Sequence, residues 1–487
     1  MQPGVFIDNA FAPGNGAKFA ARDPATDKTV WSGKAANKMN VHFSVQAARK
    51  AYPVWVGFSI AQRAAFIEKF AGILKGRKEE IAAAISRETG KPLWESNAEA
   101  DVAVNKAALT VEAYRKRCAD ESEPMGEALR ATHYKPHGVV AVLGPFNLPV
   151  HLPNGHILPA VLAGNTVVFK PSEQTPLTGQ IYMECWKEAG FPSGVLNMVQ
   201  GGKDTGIALT EHVDMNGLFF TGSHQTGCAI HKAWAGKPEK ILALEMGGNN
   251  PLIVDEVGDI VAACYMIIQS AFITAGQRCV CARRLIVIEN KHSKDLLARL
   301  TAMTKSVRVG AYTQRPEPFM GPVIDKRAAK RVLERQKELV RHGGIPLLEC
   351  ANRNGRAMLT PGIIDVTPVG NRSDEEIFGP LLQLVRVRNL EEAIREANRT
   401  EYGLAGGILS DSRNAYEQFY CQSRCGVVNW NRPTTGASSR GPFGGVGKSG
   451  NFRPSAYFAA DYCSYPVATI EAEHCKLPER LAPGITL

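Results

Sequence analysis

Residues 272–284 read FITAGQRCVCARR, which sets Cys279 and Cys281 one residue apart behind Gly276, Gln277 and Arg278 and ahead of Arg283 and Arg284. Such a pair could be half of a metal clip, a strained disulfide, two small apolar core residues, or a nucleophile beside a neighbour. Positive charge nearby favours the thiolate, so the basic pair makes Cys279 a candidate nucleophile. The local residues alone suit a core cysteine equally well. Other chemistry-bearing groups recur upstream: Asn147 in Gly144-Pro145-Phe146-Asn147, Lys170 and Glu173 in Lys170-Pro171-Ser172-Glu173, Ser223 in Thr221-Gly222-Ser223 with Gly227 following, and Glu245 in Glu245-Met246-Gly247-Gly248.

The surrounding pattern says what must position these groups. From about residue 41 to 118 the apolar residues recur at helical spacing, as in Ala64, Ala65, Phe66, Phe70, Ile73 and Leu74, with a break at Lys91-Pro92. From residue 138 short apolar runs alternate with helical segments: Val139–Leu143, Thr166–Phe169, Val195–Val199, Leu218–Phe220, Ile241–Leu244 and Leu252–Val254. A second series holds Leu285–Ile288, Leu382–Val387 and Val427–Trp430. This alternation predicts βαβ units and parallel sheets covered on both faces, hence two α/β domains. Each polar motif then falls at the carboxyl end of a strand, where open α/β sheets bind ligands. Turn chemistry explains any one such end. Lys170, Glu173 and Glu245 together point to a cleft.

Composition narrows the classes. With 487 residues, 44% hydrophobic and 21% charged, the chain has material for a large core and about three domains. The first thirty residues contain no uninterrupted apolar segment, and no run is long enough to cross a bilayer, so neither a signal peptide nor a membrane partner is expected. The 11 cysteines form no paired CxxC motif, which suggests reduced thiols and a cytoplasmic location. The net charge of +10 is dispersed and not interleaved with aromatics, so nucleic acid is not expected, whereas an anionic small substrate is compatible. Gly445, Gly447 and Gly450 fit G-x-G-x-x-G, but no clear strand leads into them, and Pro442 stands where a P-loop needs glycine. A flexible, close-packed loop is expected there. No metal is expected, because Pro136 separates His133 from His137 and the pair His151 and His156 lacks zinc-site partners.

Taken together, these motifs resemble the aldehyde dehydrogenase family. Gly276-Gln277-Arg278-Cys279 is similar to its cysteine block and Leu244-Glu245-Met246-Gly247-Gly248 to its glutamate block. Pro145–Pro149, Phe169–Pro176, Phe220–Ser223 and Glu375–Pro380 resemble four more, in family order across most of the chain. The resemblance implies two doubly wound α/β domains plus a small β oligomerisation element. Residues 1–117 and 138–247 would form a NAD-binding domain, 248–461 a catalytic domain, and 118–137 with 462–487 the oligomerisation element of a homodimer or homotetramer.

It also implies roles. Cys279 would attack an aldehyde, with the Asn147 amide and the Cys279 backbone N–H holding the oxyanion. Glu245 would activate water against the resulting thioester. The cofactor would be NAD: Lys170 and Glu173 at the adenosine ribose, Gly222, Ser223 and the helix running to Gly227 at the diphosphate, Glu376 at the nicotinamide ribose, Phe378 beside the ring. Cys281 has no role in this scheme.

Departures from the common family pattern include Asn249, the segments Leu152–His156, Cys281–Arg284 and Val428–Ala437, and Ser449–Ala456 near the end. They narrow the resemblance to members acting on an anionic semialdehyde from the succinyl-transfer route of arginine breakdown. A simpler substrate such as succinate semialdehyde, with NAD or NADP, is the alternative. Two carboxylates remote from the aldehyde would need cations or paired donors in the entrance. Arg432, Arg440, Arg453 and Lys448 are candidates, with Thr435 and Ser439 as neutral donors.

Overall fold

The computed structural model describes residues 2–353, 355–478 and 480–486, so positions 1, 354, 479 and 487 of the expected segments lie outside the described residues. The helical N-terminal stretch resolves into Lys38–Val56, Ile60–Gly76, Lys78–Thr89 and Leu93–Arg117. Side-chain capping boxes start the first two, Asn37 with Asn40 and Ser59 with Gln62. Lys91-Pro92 makes the break before the last, since proline cannot continue the preceding helix.

One seven-stranded sheet has the order 241–246, 217–222, 139–143, 166–170, 196–199, 5–7, 10–12. Its first five strands are parallel. The strands at the core of this sheet are buried on both faces, as their unbroken apolar runs predict; Val139–Leu143 is buried throughout. Strand order reverses at 139–143, which has 166–170 on one side and 217–222 on the other. The residues after these strand ends therefore meet at one crevice. The antiparallel strands Val5–Ile7 and Ala10–Ala12 were not legible in the sequence: each is three residues long, too short for an alternation to show. Asp8 and Asn9, at φ 49° and 61°, make the tight turn between them.

A second seven-stranded sheet runs 345–348, 362–365, 381–387, 282–288, 250–254, 405–409, 427–430, parallel except at its 345–348 edge. The chain thus has an α/β architecture with two mixed sheets, in line with what the resemblance implies. A separate three-stranded antiparallel sheet joins Ser464–Glu471, Ala128–Pro136 and Glu121–Met125.

The helix His151–Ala163 lies under the crevice, and twelve of its residues are buried. A helix apolar nearly all round is a core helix, so its few polar residues stand out. Among the described residues no helix is long and apolar enough to cross a membrane, and no cluster of His, Cys, Asp and Glu could hold a metal ion.

Candidate active site

The cysteine loop leaves the helix Ile260–Phe272 through three successive left-handed residues, Thr274, Ala275 and Gly276, at φ 55°, 52° and 69°. Two of the three are not glycine, so the turn is strained and must be held by its surroundings. Thr274 donates its hydroxyl to the buried Glu95, and Arg278 donates to both Thr274 Oγ1 (2.8 Å) and Glu95 (2.9 Å). A side chain at Gly276 would strike the Gly379 carbonyl, so no other residue fits there. Asn250 Nδ2 donates to the carbonyls of Cys279 (2.6 Å) and Cys281 (2.9 Å), and Gln277 Oε1 accepts from the Ile324 N–H (2.9 Å). The result is a fixed loop that leaves Cys279 partly exposed and Cys281 buried, its thiol toward the Ile273 carbonyl.

Asn147 reaches this loop from the first sheet. Its Nδ2 donates to the Gln277 carbonyl at 2.9 Å, which leaves the second amide hydrogen free. Among the described residues the Cys279 backbone N–H makes no hydrogen bond, so two donors are left free on and against the loop that carries the thiol. Asn147 is held from behind. Lys91 Nζ donates to its carbonyl at 2.8 Å, and Glu99, paired with Lys91, accepts the backbone N–H groups of Val150 (3.0 Å) and His151 (3.2 Å). Lys91 and Glu99 are both almost fully buried.

Glu245 ends the strand Ile241–Met246 and is 3% exposed. Burial raises its carboxyl to about 7, against the pull of Ser455 and Lys106. The Ser455 N–H donates to Oε1 at 3.3 Å. The glycine-rich run 445–450 is close-packed, with a 3-10 turn at Gly447–Ser449, and it supports this strand end: Gly450 bridges Glu245 and Ser449 Oγ donates to the Gly247 carbonyl at 2.8 Å.

The basic pair does not make Cys279 a resting thiolate: the Arg283 charge favours it, but burial and two carboxylates outweigh that pull. Arg283 is spent on the carbonyls of Gly276 and Arg278 and on Glu376 (3.0 Å). Arg284 donates to the carbonyls of Asn249, Glu396 and Ala397. Burial, then the charges of Glu245 and Glu376, push the Cys279 thiol well above its ordinary range. The resting thiol is neutral, and Glu245, with its carboxyl at about 7, is a base poised near neutral pH whose charge reaches it.

The cofactor candidates stand at the ends of the first sheet's strands and on the segment that carries Glu376. The Lys170 ammonium is buried, donates to the Pro171 carbonyl (3.1 Å) and lies 3.8 Å from the half-exposed Glu173 carboxylate. Ser223 caps the helix His224–Trp234, leaving that N-terminus open at the strand end. Gly227 is buried, and a side chain there would strike Met246, so it lets this helix close onto the 241–246 strand. Gly222, whose added Cβ would meet the Phe220 ring, and Ser223 precede this helix end. Glu376 is fixed by Arg283, and Gly247 leaves room for its carboxylate. Phe378 stands edge-on to Phe146 at 6.0 Å, one residue before Asn147. These donors, the helix end and the two carboxylates fit a dinucleotide.

The proposed substrate cations are not brought together. Arg432 and Arg453 are exposed, Arg453 folding back onto the Phe452 carbonyl at 3.2 Å. Arg440 is exposed and paired with Glu112 at 2.6 Å, and Lys448 with Glu401. Thr435 donates to the Gln269 carbonyl at 3.4 Å, and Ser439 is half-buried in the same loop. Sequence reasoning missed Lys106, on the buried face of the 93–117 helix with Ala103, Ala107 and Thr110. A lysine inside an apolar helical stripe was the available signal.

Comparison with known proteins agrees with this geometry. The model of the aldehyde dehydrogenase family matches residues 11–465. The chain is 52% identical over 484 residues, 99% of both chains, to N-succinylglutamate 5-semialdehyde dehydrogenase of Pseudomonas fluorescens (strain Pf0-1). Its fold is similar to the NAD+ complex of aldehyde dehydrogenase from Bacillus cereus, with TM-score 0.90, 28% identity and 97% of both chains covered. It is also similar to NADP-dependent glyceraldehyde-3-phosphate dehydrogenase from Bacillus halodurans C-125 complexed with NADP, with TM-score 0.90, 27% identity, and 97% of this chain and 99% of that one covered.

Proposed function

The chain belongs to the aldehyde dehydrogenase family, and from that premise we propose that it oxidises N-succinyl-L-glutamate 5-semialdehyde to N-succinyl-L-glutamate with NAD, in the succinyl-transfer route of arginine catabolism. The single observation that carries the substrate is the 52% identity over 99% of both chains to a relative of that name.

In this reading Glu245, with its carboxyl at about 7, takes the Cys279 proton, and the Sγ adds to the aldehyde carbon. The oxygen becomes an alkoxide held by the free Asn147 amide hydrogen and the Cys279 N–H, donors already fixed by Gln277 and Asn250. Hydride acceptance from that carbon is the chemistry NAD supplies when bound. Cys279 is then acylated as a thioester. Glu245 passes the first proton to solvent and then takes one from water as it attacks the thioester; the C–S bond breaks, Glu245 returns that proton to the Cys279 sulfur, and the acid leaves as its carboxylate with the remaining proton lost to solvent.

Lys170 and Glu173 would hold the adenosine ribose, Ser223 and its helix end the diphosphate, and Glu376 the nicotinamide ribose. A carboxylate at Glu173 accepts ribose hydroxyls and repels a 2′-phosphate, which favours NAD over NADP. The free thiols at all 11 cysteines suit a reducing compartment, and a cytoplasmic location is part of the reading. So is a homodimer or homotetramer. Ser464–Glu471 and Glu121–Met125 are the two edges of their sheet, and the unpaired backbone of an edge is available to a second copy.

The test is NADH formation with N-succinylglutamate, succinate and glutamate semialdehydes. A strong preference for the succinylated substrate is the expected result. Equal rates on all three would overturn the substrate while leaving the family chemistry in place.

A further inference from the structure

Lys106 is 6% exposed, and among the described residues its ammonium makes no hydrogen bond or ion pair. A buried, unpaired ammonium is costly. The helix opposite makes room for it: a Cβ built on Gly155 would lie 3.1 Å from Lys106 Nζ. Gly155 shares one face of the 151–163 helix with His151, one turn earlier. His151 Nδ1 is enclosed and has no partner. This helix begins four residues after Asn147, and its next residue, His156, bonds Thr221 Oγ1 at 3.0 Å, the register partner of Glu245. The ammonium thus lies along a helix that connects both proposed reacting groups. No ion pair joins Lys106 to Glu245, although each feels the other's charge.

We propose that Lys106, in the space left by Gly155 and with His151 beside it, is a specificity-determining residue that holds a substrate carboxylate remote from the aldehyde. This rests on the substrate reading above. Burial draws the ammonium down to about 8, so it is still mostly charged at neutral pH, and burial keeps His151 neutral, a donor or acceptor without competing charge. The exposed arginines offer no comparable site, because a carboxylate bound at the surface stays solvated and gains little.

Lys106→Met keeps the length and removes the charge. The expected result is that kcat/KM for the succinylated semialdehyde falls at least about tenfold further than for pentanal, with the loss in KM and a parallel rise in the inhibition constant of N-succinylglutamate. Equal losses on both aldehydes, or a loss in kcat alone, would overturn the proposal in favour of a structural role or of tuning Glu245. Gly155→Val is the second variant, crowding the ammonium without removing it, and the same substrate ratio should fall. Should the wild type show no preference for the succinylated substrate, the substrate reading fails. The ratio of succinate semialdehyde to pentanal in Lys106→Met then decides the anchor by itself.

Discussion

The Asn147 side-chain amide donates to the Gln277 carbonyl at 2.9 Å, so a residue leaving the first sheet is fastened to the loop that presents Cys279. The bond fixes one amide hydrogen and aims the other. Removing an oxyanion donor typically costs about 100- to 1000-fold in kcat. Asn147→Ala should lose that much in steady-state NADH formation while the KM for NAD changes little. A loss confined to the KM for NAD would place Asn147 outside the reaction.

The two cysteines should separate cleanly. Cys279 is partly exposed in a loop held by Asn250, whereas Cys281 is buried against the Ile273 carbonyl. Cys279→Ala should abolish aldehyde-dependent NADH formation with an unchanged circular dichroism spectrum. Cys281→Ala should retain most activity and lower stability by about 1 kcal/mol for the small cavity. Reversed outcomes would reassign the nucleophile.

Glu245 gives the pH dependence. Its carboxyl is raised to about 7, so its base form grows as pH rises through 7, and kcat should climb along a limb centred there and level off above about 8. Glu245→Gln should flatten the limb and slow both the first NADH turnover and the steady state, because the same carboxylate takes the Cys279 proton and activates water. Stability runs the other way. The folded chain holds this proton more tightly than an unfolded carboxyl near 4.5, so the Glu245 contribution falls as pH rises from about 4.5 to 7. Urea midpoints of wild type and Glu245→Gln should therefore diverge across that interval.

The sheets and the cysteine, asparagine and glutamate blocks were legible because each rests on local patterns: buried strands read as unbroken apolar runs, and their polar ends carry the motifs. What the sequence hid is long-range. Glu95 and Thr274, 179 residues apart, share a hydrogen bond, and nothing near either announces the other. The hydrogen-bond partners of Arg283 and Arg284 were hidden for the same reason. Adjacent to the cysteines in sequence, they point into carbonyls and Glu376 rather than at the thiol. The exposed arginines 432 and 453 looked like substrate anchors because charge is visible in sequence and burial is not.

In the proposed reading, cofactor choice turns on Glu173, half-exposed beside the buried Lys170 ammonium. Glu173→Gln removes the charge that repels a 2′-phosphate and leaves Lys170 to attract one. The ratio of kcat/KM for NADP to that for NAD should rise by about tenfold or more. An unchanged ratio would remove Glu173 from the ribose site.

Lys91 and Glu99 test whether the site is held from behind. The pair is almost fully buried, with Lys91 on the Asn147 carbonyl and Glu99 on the first N–H groups of the 151–163 helix. Removing one member of a buried pair strands the other charge and costs about 3–5 kcal/mol. Lys91→Met and Glu99→Gln should each lower the thermal midpoint by several degrees. The double variant should regain part of the loss, because no lone charge remains. Activity should not follow stability. Lys91→Met frees the Asn147 carbonyl, so kcat should stay low in the double variant even where folding recovers. Full recovery of kcat with stability would mean that the pair holds the fold alone and that Asn147 is aimed by Gln277 without it.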